Sequence, residues 1–291
     1  MHLGPGRLPD RGAAPLPYTP QRFRCGPRYG EGHPQLVAFF CHLPRIDHLP
    51  RDAHARIYRE RPNLVRELYV SPELRVPWAC LVVKCFGWRG RQHYLSSPLK
   101  RARAMKAYHT ACHLLAHGLP TPLPLGVFAE RRWGFLQYNV YVTEALRDAV
   151  TLSYYRTTLR EGDAGLDEVL RLVATYTRGM HDSGLWHRDM VSSNFLLTGT
   201  PGNQQLYLVD LNRARRLPYM PVWLRAIDLA RMDWRDAQPR FCALYCGERF
   251  SPTYVLRLIR IYRTWRTGRR WVLRGVKSLR QRLKREHRAF R

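Results

Sequence analysis

Two aspartates and an asparagine follow one another at short intervals in the second half of the chain. Asp189 closes the tripeptide His187-Arg188-Asp189, Asn194 comes five residues later, and Asp210 ends an apolar run. Phosphoryl transfer needs a carboxylate that orients and deprotonates the attacking hydroxyl, and it needs oxygen ligands that hold Mg²⁺ against the phosphates. Mg²⁺ keeps several waters, so one carboxylate and one amide are sufficient protein donors. The spacing therefore predicts that Asp189 is the catalytic base and that Asn194 and Asp210 bind the metal.

The segments around these residues strengthen the prediction. A histidine–arginine–aspartate tripeptide alone is a weak signal, because chance matches are common. Here Phe195-Leu196-Leu197 predicts a strand directly after Asn194, a turn-rich segment follows at 198–203, and a second strand leads to Asp210. This hairpin would place both predicted metal ligands at strand edges that face one cleft. The alternative is that Asp189 and Asn194 only cap turns, as these residue types often do.

An isolated lysine interrupts an apolar strand in the first half of the chain. Lys84 lies within the run Leu81–Phe86, whose other members are apolar or cysteine. A buried ammonium group is costly unless it meets a negative partner. Nucleotide phosphates would be such a partner. The alternative is a lysine on an edge strand whose charged end reaches solvent.

The order of these residues resembles the protein-kinase-like superfold. Lys84 comes first, then Glu144 at the end of the predicted strand 139–146, then the tripeptide 187–189, Asn194 and Asp210. More narrowly, the chain resembles the bacterial lipopolysaccharide kinase family (Kdo/heptose kinases, including InaA-like members) over roughly residues 65–265. The narrower resemblance rests on three segments, which are similar to the family patterns L-x-x-x-G-x-P-T-P, L-H-x-x-G-x-x-H-x-D and D-L-A-x-L: Leu114–Pro122, Met180–Asp189 and Asp228–Met232.

The resemblance implies an α+β, two-lobed fold with a small antiparallel-sheet N-lobe and a mainly helical C-lobe. We assign residues 36–145 to the N-lobe and residues 146–266 to the C-lobe. Residues 1–35 are basic and rich in proline and glycine, so we expect them to be disordered. We expect the polar, arginine-rich segment 52–61 to be helical. We assign residues 267–291 to a separate basic amphipathic helix.

The resemblance also implies roles for the site residues. Lys84 would contact the α- and β-phosphates of ATP, and the linker at Glu144 would present main-chain groups to adenine. Asp228 would brace the main chain of the catalytic loop from a helix below it. His187 and Arg188 would be structural parts of that loop.

The chain departs from the kinase pattern in several places. The predicted helix 99–116 has no glutamate to pair with Lys84. Its partner would then be Glu60, Glu67 or Glu73, or phosphate alone. No glycine occurs between residues 68 and 83, the usual Asp-Phe-Gly is Asp-Leu-Asn at 210–212, and no Ala-Pro-Glu segment follows. These departures suit a small-molecule or lipid kinase without a peptide-docking loop.

Composition restricts the partners and the location. The chain has 49 lysines and arginines against 22 aspartates and glutamates, and its formal net charge is +27. Such a surface favours phosphorylated glycolipid, acidic membrane lipid or nucleic acid, although no nucleic-acid recognition motif is visible. No apolar run approaches the ~18 residues of a membrane-spanning helix, and the N-terminus lacks the apolar core of a signal peptide. We expect a cytoplasmic protein.

The segment 267–291 supports a second, peripheral location. Five apolar residues fall close to one helical face and basic residues surround them: Val272, Val276, Leu279, Leu283 and Phe290. A basic amphipathic helix of this kind can lie in a membrane interface, here the cytoplasmic face of the inner membrane. The alternative is a helix packed on the C-lobe with a solvated charged face.

These observations lead to one principal hypothesis and two alternatives. The principal one is an ATP- and Mg²⁺-dependent kinase that phosphorylates a sugar hydroxyl of lipopolysaccharide core or a related anionic glycolipid. One alternative is a catalytically degenerate kinase-like protein that binds membrane or a partner. The other keeps the chemistry but uses a protein or another small molecule as the acceptor.

Overall fold

The computed structural model describes residues 16–42, 56–59, 63–70, 77–87, 94–159 and 164–289. The strands are β1 (Gln21–Cys25), β2 (Arg28–Gly32), β3 (Arg56–Arg59), β4 (Asn63–Tyr69), β5 (Cys80–Phe86), β6 (Pro124–Arg132), β7 (Phe135–Glu144), β8 (Val150–Thr151), β9 (Leu185–Trp186), β10 (Phe195–Thr198), β11 (Gln205–Leu208) and β12 (Arg215–Arg216). The helices are α1 (Pro34–His42), α2 (Arg103–Leu115), α3 (Leu152–Thr158), α4 (Ala164–Asp182), α5 (Val222–Leu229), α6 (Gln238–Cys246) and α7 (Pro252–Ala289). The predicted α+β class, with a sheet followed by a mainly helical part, is confirmed.

One antiparallel sheet makes up most of the first half of the chain. Its order is β1-β2-β6-β7-β5-β4-β3. The hairpin β6–β7 closes through Trp133 and Gly134, which both have positive φ, as the tight two-residue turns of hairpins require. Strand β5, which carries Lys84, lies between β7 and β4. This interior position excludes the alternative of a lysine on an edge strand.

The two faces of the sheet are covered by different helices. Side chains alternate between the faces of a strand, and in β7 Val140 and Val142 pack with Leu36 of α1. Tyr141, between them, belongs to the larger core that also contains Tyr108 of α2. On β5, Lys84 has the same parity as Phe86, which packs in that larger core. Lys84 therefore points toward α2 and the helical part of the molecule.

Helix α4 is the central element of the helical part. Val169, Leu170 and Val173 are fully buried on one face, at the helical spacing that the sequence showed. Helices α5, α6 and α7 pack around the same core, and α7 contributes Val255 and Ile259 to it. Two short sheets, β8-β10-β11 and β9-β12, lie at the edge of this core. They carry the segments that contain Asp189, Asn194 and Asp210.

The N-terminal segment differs from its predicted disorder. Residues 21–32 form the hairpin β1–β2, and β2 pairs with β6. An added Cβ at Gly30 would lie 2.2 Å from the Val127 carbonyl oxygen, and one at Gly32 would lie 2.5 Å from the Leu125 carbonyl oxygen. The glycines therefore allow close strand pairing, whereas their frequency suggested a disordered segment. Residues 1–15 lie outside the described residues.

Two further assignments change. Residues 56–59, expected to be helical, form the edge strand β3, because pairing with β4 satisfies main-chain groups that β4 would otherwise expose.

Helix α7 runs from 252 to 289, so no break separates a C-terminal helix at residue 267. The described side chains of α7 do not include 272–289, where the predicted apolar face lies. No described helix combines the length and apolar character needed to cross a membrane.

Candidate functional site

A cavity of about 370 Å³ lies between the sheet and the helical part. Lys84 and Glu144 line it from the sheet, and Asn194 and Asp210 line it from the hairpin β10–β11 and its flanks. Much of the remaining wall is apolar and comes from both parts of the molecule: Val65, Val82, Ala107, Leu146, Ala149, Leu196 and Leu211. Four of the residues predicted from the sequence are therefore brought to one cavity.

An ion pair joins the two parts of the molecule inside this cavity. Lys84 Nζ lies 2.5 Å from Asp210 Oδ1, and both side chains are largely buried. Burial by itself raises the pKa of Asp210, but the charge and the hydrogen bond of Lys84 outweigh it, so the pKa lies below its ordinary value. Asp210 is therefore a carboxylate at neutral pH. Its φ of 63° is left-handed, and Asn212 donates a side-chain hydrogen bond to the same oxygen.

Among the described residues, the partner of Lys84 is Asp210, whereas the sequence suggested a glutamate. Glu67 accepts a hydrogen bond from the Tyr58 hydroxyl at 2.5 Å. Glu60 and Glu73 lie outside the described residues. Lys84 instead points across the cavity toward the end of the hairpin, where it meets the carboxylate of Asp210.

The predicted metal ligands are held next to each other by main-chain bonds. The Val209 N–H donates to the Asn194 carbonyl oxygen at 2.9 Å, so Asp210 begins beside Asn194. The Asn194 side-chain amide donates to the Asp189 carbonyl oxygen at 2.8 Å. Within the described residues, no hydrogen bond uses the Asn194 amide oxygen. That oxygen and the Asp210 carboxylate are hard donors of the kind that Mg²⁺ prefers.

Asp189 does not line the cavity itself but adjoins it through Asn194. Its two carboxylate oxygens are paired with different arginines. Arg213 Nη1 lies 2.9 Å from Oδ2, and Arg231 Nη1 lies 3.2 Å from Oδ1. Reasoning from the sequence missed both arginines. A signal was present, because each follows a singled-out aspartate by three residues, Asp210 in one case and Asp228 in the other.

The loop that carries Asp189 rests on a buried carboxylate. Asp228, at the end of α5, is 0% exposed, and it accepts main-chain hydrogen bonds from His187 at 2.8 Å and Arg188 at 2.9 Å. Arg188 has a φ of 69°, a region that residues other than glycine rarely occupy. The bond to Asp228 holds the main chain in that conformation directly before Asp189.

The ring of His187 joins the loop to the hairpin strand. Its Nδ1 accepts a hydrogen bond from the Asp189 N–H at 3.3 Å. Its Nε2 lies 3.3 Å from the Val209 carbonyl oxygen. Both contacts are satisfied together when the ring proton is on Nε2. His187 thus ties the segment of the predicted base to the segment of a predicted metal ligand.

A second layer of polar groups supports Asp228 from below. His181 Nδ1 is 2.8 Å from the Tyr245 hydroxyl, and its Nε2 is 3.6 Å from Asp228 Oδ2. Arg225 donates to the same hydroxyl at 3.3 Å and pairs with Asp182 at 2.7 Å. Sequence reasoning did not identify this layer, because its contacts join α4, α5 and α6. It joins these three helices around the carboxylate that binds the loop of Asp189.

Glu144 ends β7 beside the cavity. Its side chain accepts a hydrogen bond from the Leu123 N–H at 2.9 Å, and its own N–H donates to the Leu123 carbonyl oxygen at 3.1 Å. These bonds hold the end of the strand in place. Contact between Glu144 and a nucleotide base would therefore involve the main chain rather than the carboxylate.

Replacing Asp228 with asparagine should destabilise the fold, because it removes a hydrogen bond to the loop of Asp189. The amide retains one accepting oxygen and points an N–H group at a second N–H, so the unfolding free energy should fall by about 2 kcal/mol, the size of a lost hydrogen bond to a charged group. Glu248→Gln also replaces a carboxylate with an amide, but at an exposed position, and it is the matched control. Denaturant unfolding of the two variants tests the role. Equal stability of Asp228→Asn and the control would contradict it.

His181 should make the fold sensitive to mild acid. Burial is the main cause that lowers the pKa of His181 below its ordinary value of 6.5, and it outweighs the opposing effect of Asp228. Below pH 6.5 the unfolded chain therefore binds more protons than the folded protein. The free energy of unfolding keeps its full value above that pH and decreases as the pH falls. One such group contributes up to about 1.4 kcal/mol per pH unit. Between pH 7.5 and 5, the free energy of unfolding should depend less steeply on pH for His181→Gln than for the wild-type protein. An unchanged slope would exclude this titration.

Comparisons with known proteins identify the family of the chain. The model of the lipopolysaccharide kinase (Kdo/WaaP) family matches residues 89–262, which is more than half of the chain. A curated relative, 3-deoxy-D-manno-octulosonic acid kinase of Haemophilus influenzae, is 25% identical over 168 residues, which cover 52% of this chain and 68% of that protein. A solved structure, WaaP in complex with acyl carrier protein, has the same fold, with a TM-score of 0.53 and 20% identity over 74% of this chain and 86% of that one. The chain therefore belongs to the lipopolysaccharide kinase (Kdo/WaaP) family and is a phosphotransferase.

Proposed function

We propose that this kinase transfers the γ-phosphoryl group of ATP to a sugar hydroxyl of lipopolysaccharide core or a related anionic glycolipid. The observation that carries the proposal is the shared cavity, in which Lys84, Asn194 and Asp210 meet and to which Asn194 attaches Asp189. The sugar substrate of the Haemophilus relative supports the acceptor class.

The cavity has an apolar part and a polar part, as a nucleotide site requires. Its apolar wall near Leu146 and Leu196 suits a planar base, and the polar end at Lys84 suits phosphates. On binding, the Lys84 ammonium would exchange part of its contact with Asp210 for phosphate oxygens. The volume of about 370 Å³ lies in the range of small-molecule sites.

The donor set fits Mg²⁺ shared with the nucleotide. No group of three or more His, Cys, Asp or Glu side chains that could hold a metal occurs in the described part of the chain. Mg²⁺ is commonly held by one or two carboxylates together with substrate phosphates and water. Asp210 and Asn194 would supply the protein oxygens. The bound ion would neutralise charge on the phosphates during transfer.

The remaining chemistry belongs to the catalytic loop. Asp189 would accept the proton of the sugar hydroxyl while that oxygen forms a bond to the γ-phosphorus. The bond between the γ-phosphorus and the β,γ-bridging oxygen breaks, and ADP leaves. Asp228 and His187 would hold Asp189 in place through the main chain. The products are ADP and a phosphorylated sugar.

The segment after the site favours a small acceptor over a peptide. Only residues 217–221 separate β12 from α5. The Leu217 N–H donates to the Gly184 carbonyl oxygen at 2.8 Å, which keeps this connection close to the helical part. Such a short segment leaves little main chain that could dock an extended peptide.

Two aspartate variants test the proposal in different ways. Asp189→Asn should lower kcat by about 10²–10⁴-fold, the usual contribution of a general base, and should leave Mg²⁺-ATP binding intact. Asp210→Asn should weaken Mg²⁺-dependent ATP binding, because a metal donor and the partner of Lys84 are both altered. The measurements are nucleotide affinity and transfer of label from γ-labelled ATP to core oligosaccharide.

Glu248→Gln serves as the control for these variants, and it should match the wild-type protein in both measurements. Full transfer by Asp189→Asn, or nucleotide affinity unaffected by Asp210→Asn, would contradict the proposed roles. If the label enters only an added protein, the acceptor is a protein and not a sugar.

We also propose a peripheral position at the cytoplasmic face of the inner membrane. Tyr254, Ile261 and Trp265 of α7 are each more than half exposed and share one side of the helix. The high positive charge of the chain favours anionic lipid.

Co-sedimentation with vesicles tests this position. The protein should pellet with phosphatidylglycerol vesicles and not with phosphatidylcholine vesicles, and Ile261→Ser/Trp265→Ser should pellet less. Trp133→Ser changes a tryptophan that is 95% exposed on the β6–β7 turn, away from α7, and should behave as wild type. Equal sedimentation with both lipids would contradict the position.

A further inference from the structure

Two arginines occupy the oxygens that the proposed catalytic base needs. Arg213 ends the short turn that follows Asp210, and Arg231 follows α5. The two guanidinium groups pair with opposite oxygens of Asp189, at 2.9 and 3.2 Å. A carboxylate bound on both sides has no oxygen free of a cation when a hydroxyl arrives. A group that competes for the arginines would make Asp189 a better proton acceptor, because each guanidinium contact stabilises its ionised form.

Positive charge exceeds negative charge at this point. Burial lowers the pKa of Arg188 below its ordinary value, and the neighbouring charges of Arg215, Arg213 and Arg231 lower it further. In the described part of the chain, Asp189 is the only carboxylate that pairs with Arg213 or Arg231. The Nε of Arg231 is buried and has no hydrogen-bond partner among the described groups. A bound anion would offset the excess charge.

The stretch after Asp189 contains no cation. Between Asp189 and Asn194 the residues are Met190, Val191 and two serines. A cation that contacts an acceptor on this side of Asp189 must therefore come from outside the stretch. Arg213 and Arg231 are the two side chains that pair with the Asp189 carboxylate in the described part of the chain.

A second cavity is lined by segments that adjoin the site. Its volume is about 680 Å³, and its lining includes the segment 233–237, which closely follows Arg231 in the sequence. Ser153, Arg156 and Thr157 of α3 also line it, and α3 packs against the turn at 192–194. The cavity is large enough for a sugar unit of an oligosaccharide, and its hydroxyl, carboxylate and guanidinium groups suit the hydroxyls of one.

We propose that Arg213 and Arg231 form the binding site for an anionic group, a carboxylate or a phosphate, carried by the acceptor near the hydroxyl that is phosphorylated. The proposal rests on the proposed kinase function and extends it to acceptor selection. Guanidinium groups bind carboxylate and phosphate through paired hydrogen bonds. The acceptor's anion takes over the two arginines and releases an oxygen of Asp189 to receive the hydroxyl proton. A neutral acceptor leaves Asp189 paired.

The test compares matched acceptors with matched variants. The acceptors are a sugar-acid glycoside with its neutral methyl ester, and a sugar-phosphate glycoside with its dephosphorylated form. The full-length variants are Arg213→Gln, Arg231→Gln and, as a control, Arg240→Gln. Arg240 pairs with Asp167 on the surface of the helical part. Thermal unfolding confirms that each variant is folded.

The first readout is the ratio of kcat/KM for the charged and neutral members of each pair. Wild type and Arg240→Gln should prefer the charged member. Arg213→Gln and Arg231→Gln should reduce that preference by at least about tenfold, the loss expected for one charge-assisted hydrogen bond. The pair that shows the effect identifies carboxylate or phosphate as the anion. An equal loss for charged and neutral acceptors would overturn the proposal and assign the arginines to the transferred phosphoryl group.

The second readout is equilibrium binding of the same four compounds with a non-hydrolysable ATP analogue present. It does not require turnover, so it separates the two proposals. If the wild-type protein selects the charged compounds, the variants lose that selection and no transfer occurs, the anion site stands and the kinase function fails. If the wild-type protein binds the charged and neutral compounds equally, the anion site is wrong even where transfer occurs.

Discussion

The ion pair between Lys84 and Asp210 is the interaction on which the rest of the site depends. A lysine on an interior strand is tolerated only with a negative partner, and Asp210 supplies it from a position 126 residues later, with 2.5 Å between Nζ and Oδ1. The pair links the sheet to the hairpin β10–β11 across the cavity. It keeps a cation and a carboxylate at the cavity's polar end, where the proposed metal-bound nucleotide would use both.

A buried carboxylate gives the loop that carries Asp189 its shape. Asp228 binds two consecutive N–H groups, and the layer of His181, Tyr245 and Arg225 holds it from below. Charge then increases toward the surface, where arginines surround Asp189. Asp189, the proposed proton acceptor, is thus held through its main chain by the buried layer and paired through its carboxylate with arginines. This arrangement suits an enzyme whose acceptor brings its own negative charge.

Local pattern was enough to predict some parts of this architecture. The strand with Lys84, the hairpin between Asn194 and Asp210, and the amphipathic stripe of α4 were all visible as short-range periodicity or spacing. The partner of Lys84 and the arginines on Asp189 were not, because each contact joins segments distant in sequence and many charged residues were available. The hairpin β1–β2 was not predicted, because frequent glycines are typical of disordered segments. In the structure these glycines let β2 approach β6 closely.

The most direct measurement is a crystal structure with Mn²⁺ and a non-hydrolysable ATP analogue, in which anomalous scattering locates the metal. We expect one peak at about 2.2 Å from both an Asp210 carboxylate oxygen and the Asn194 amide oxygen, close to the metal–oxygen distances of Mg²⁺. We also expect the base beside Glu144 and Lys84 Nζ on a phosphate oxygen. Metal and nucleotide bound elsewhere, with Lys84 still paired only to Asp210, would contradict the shared site.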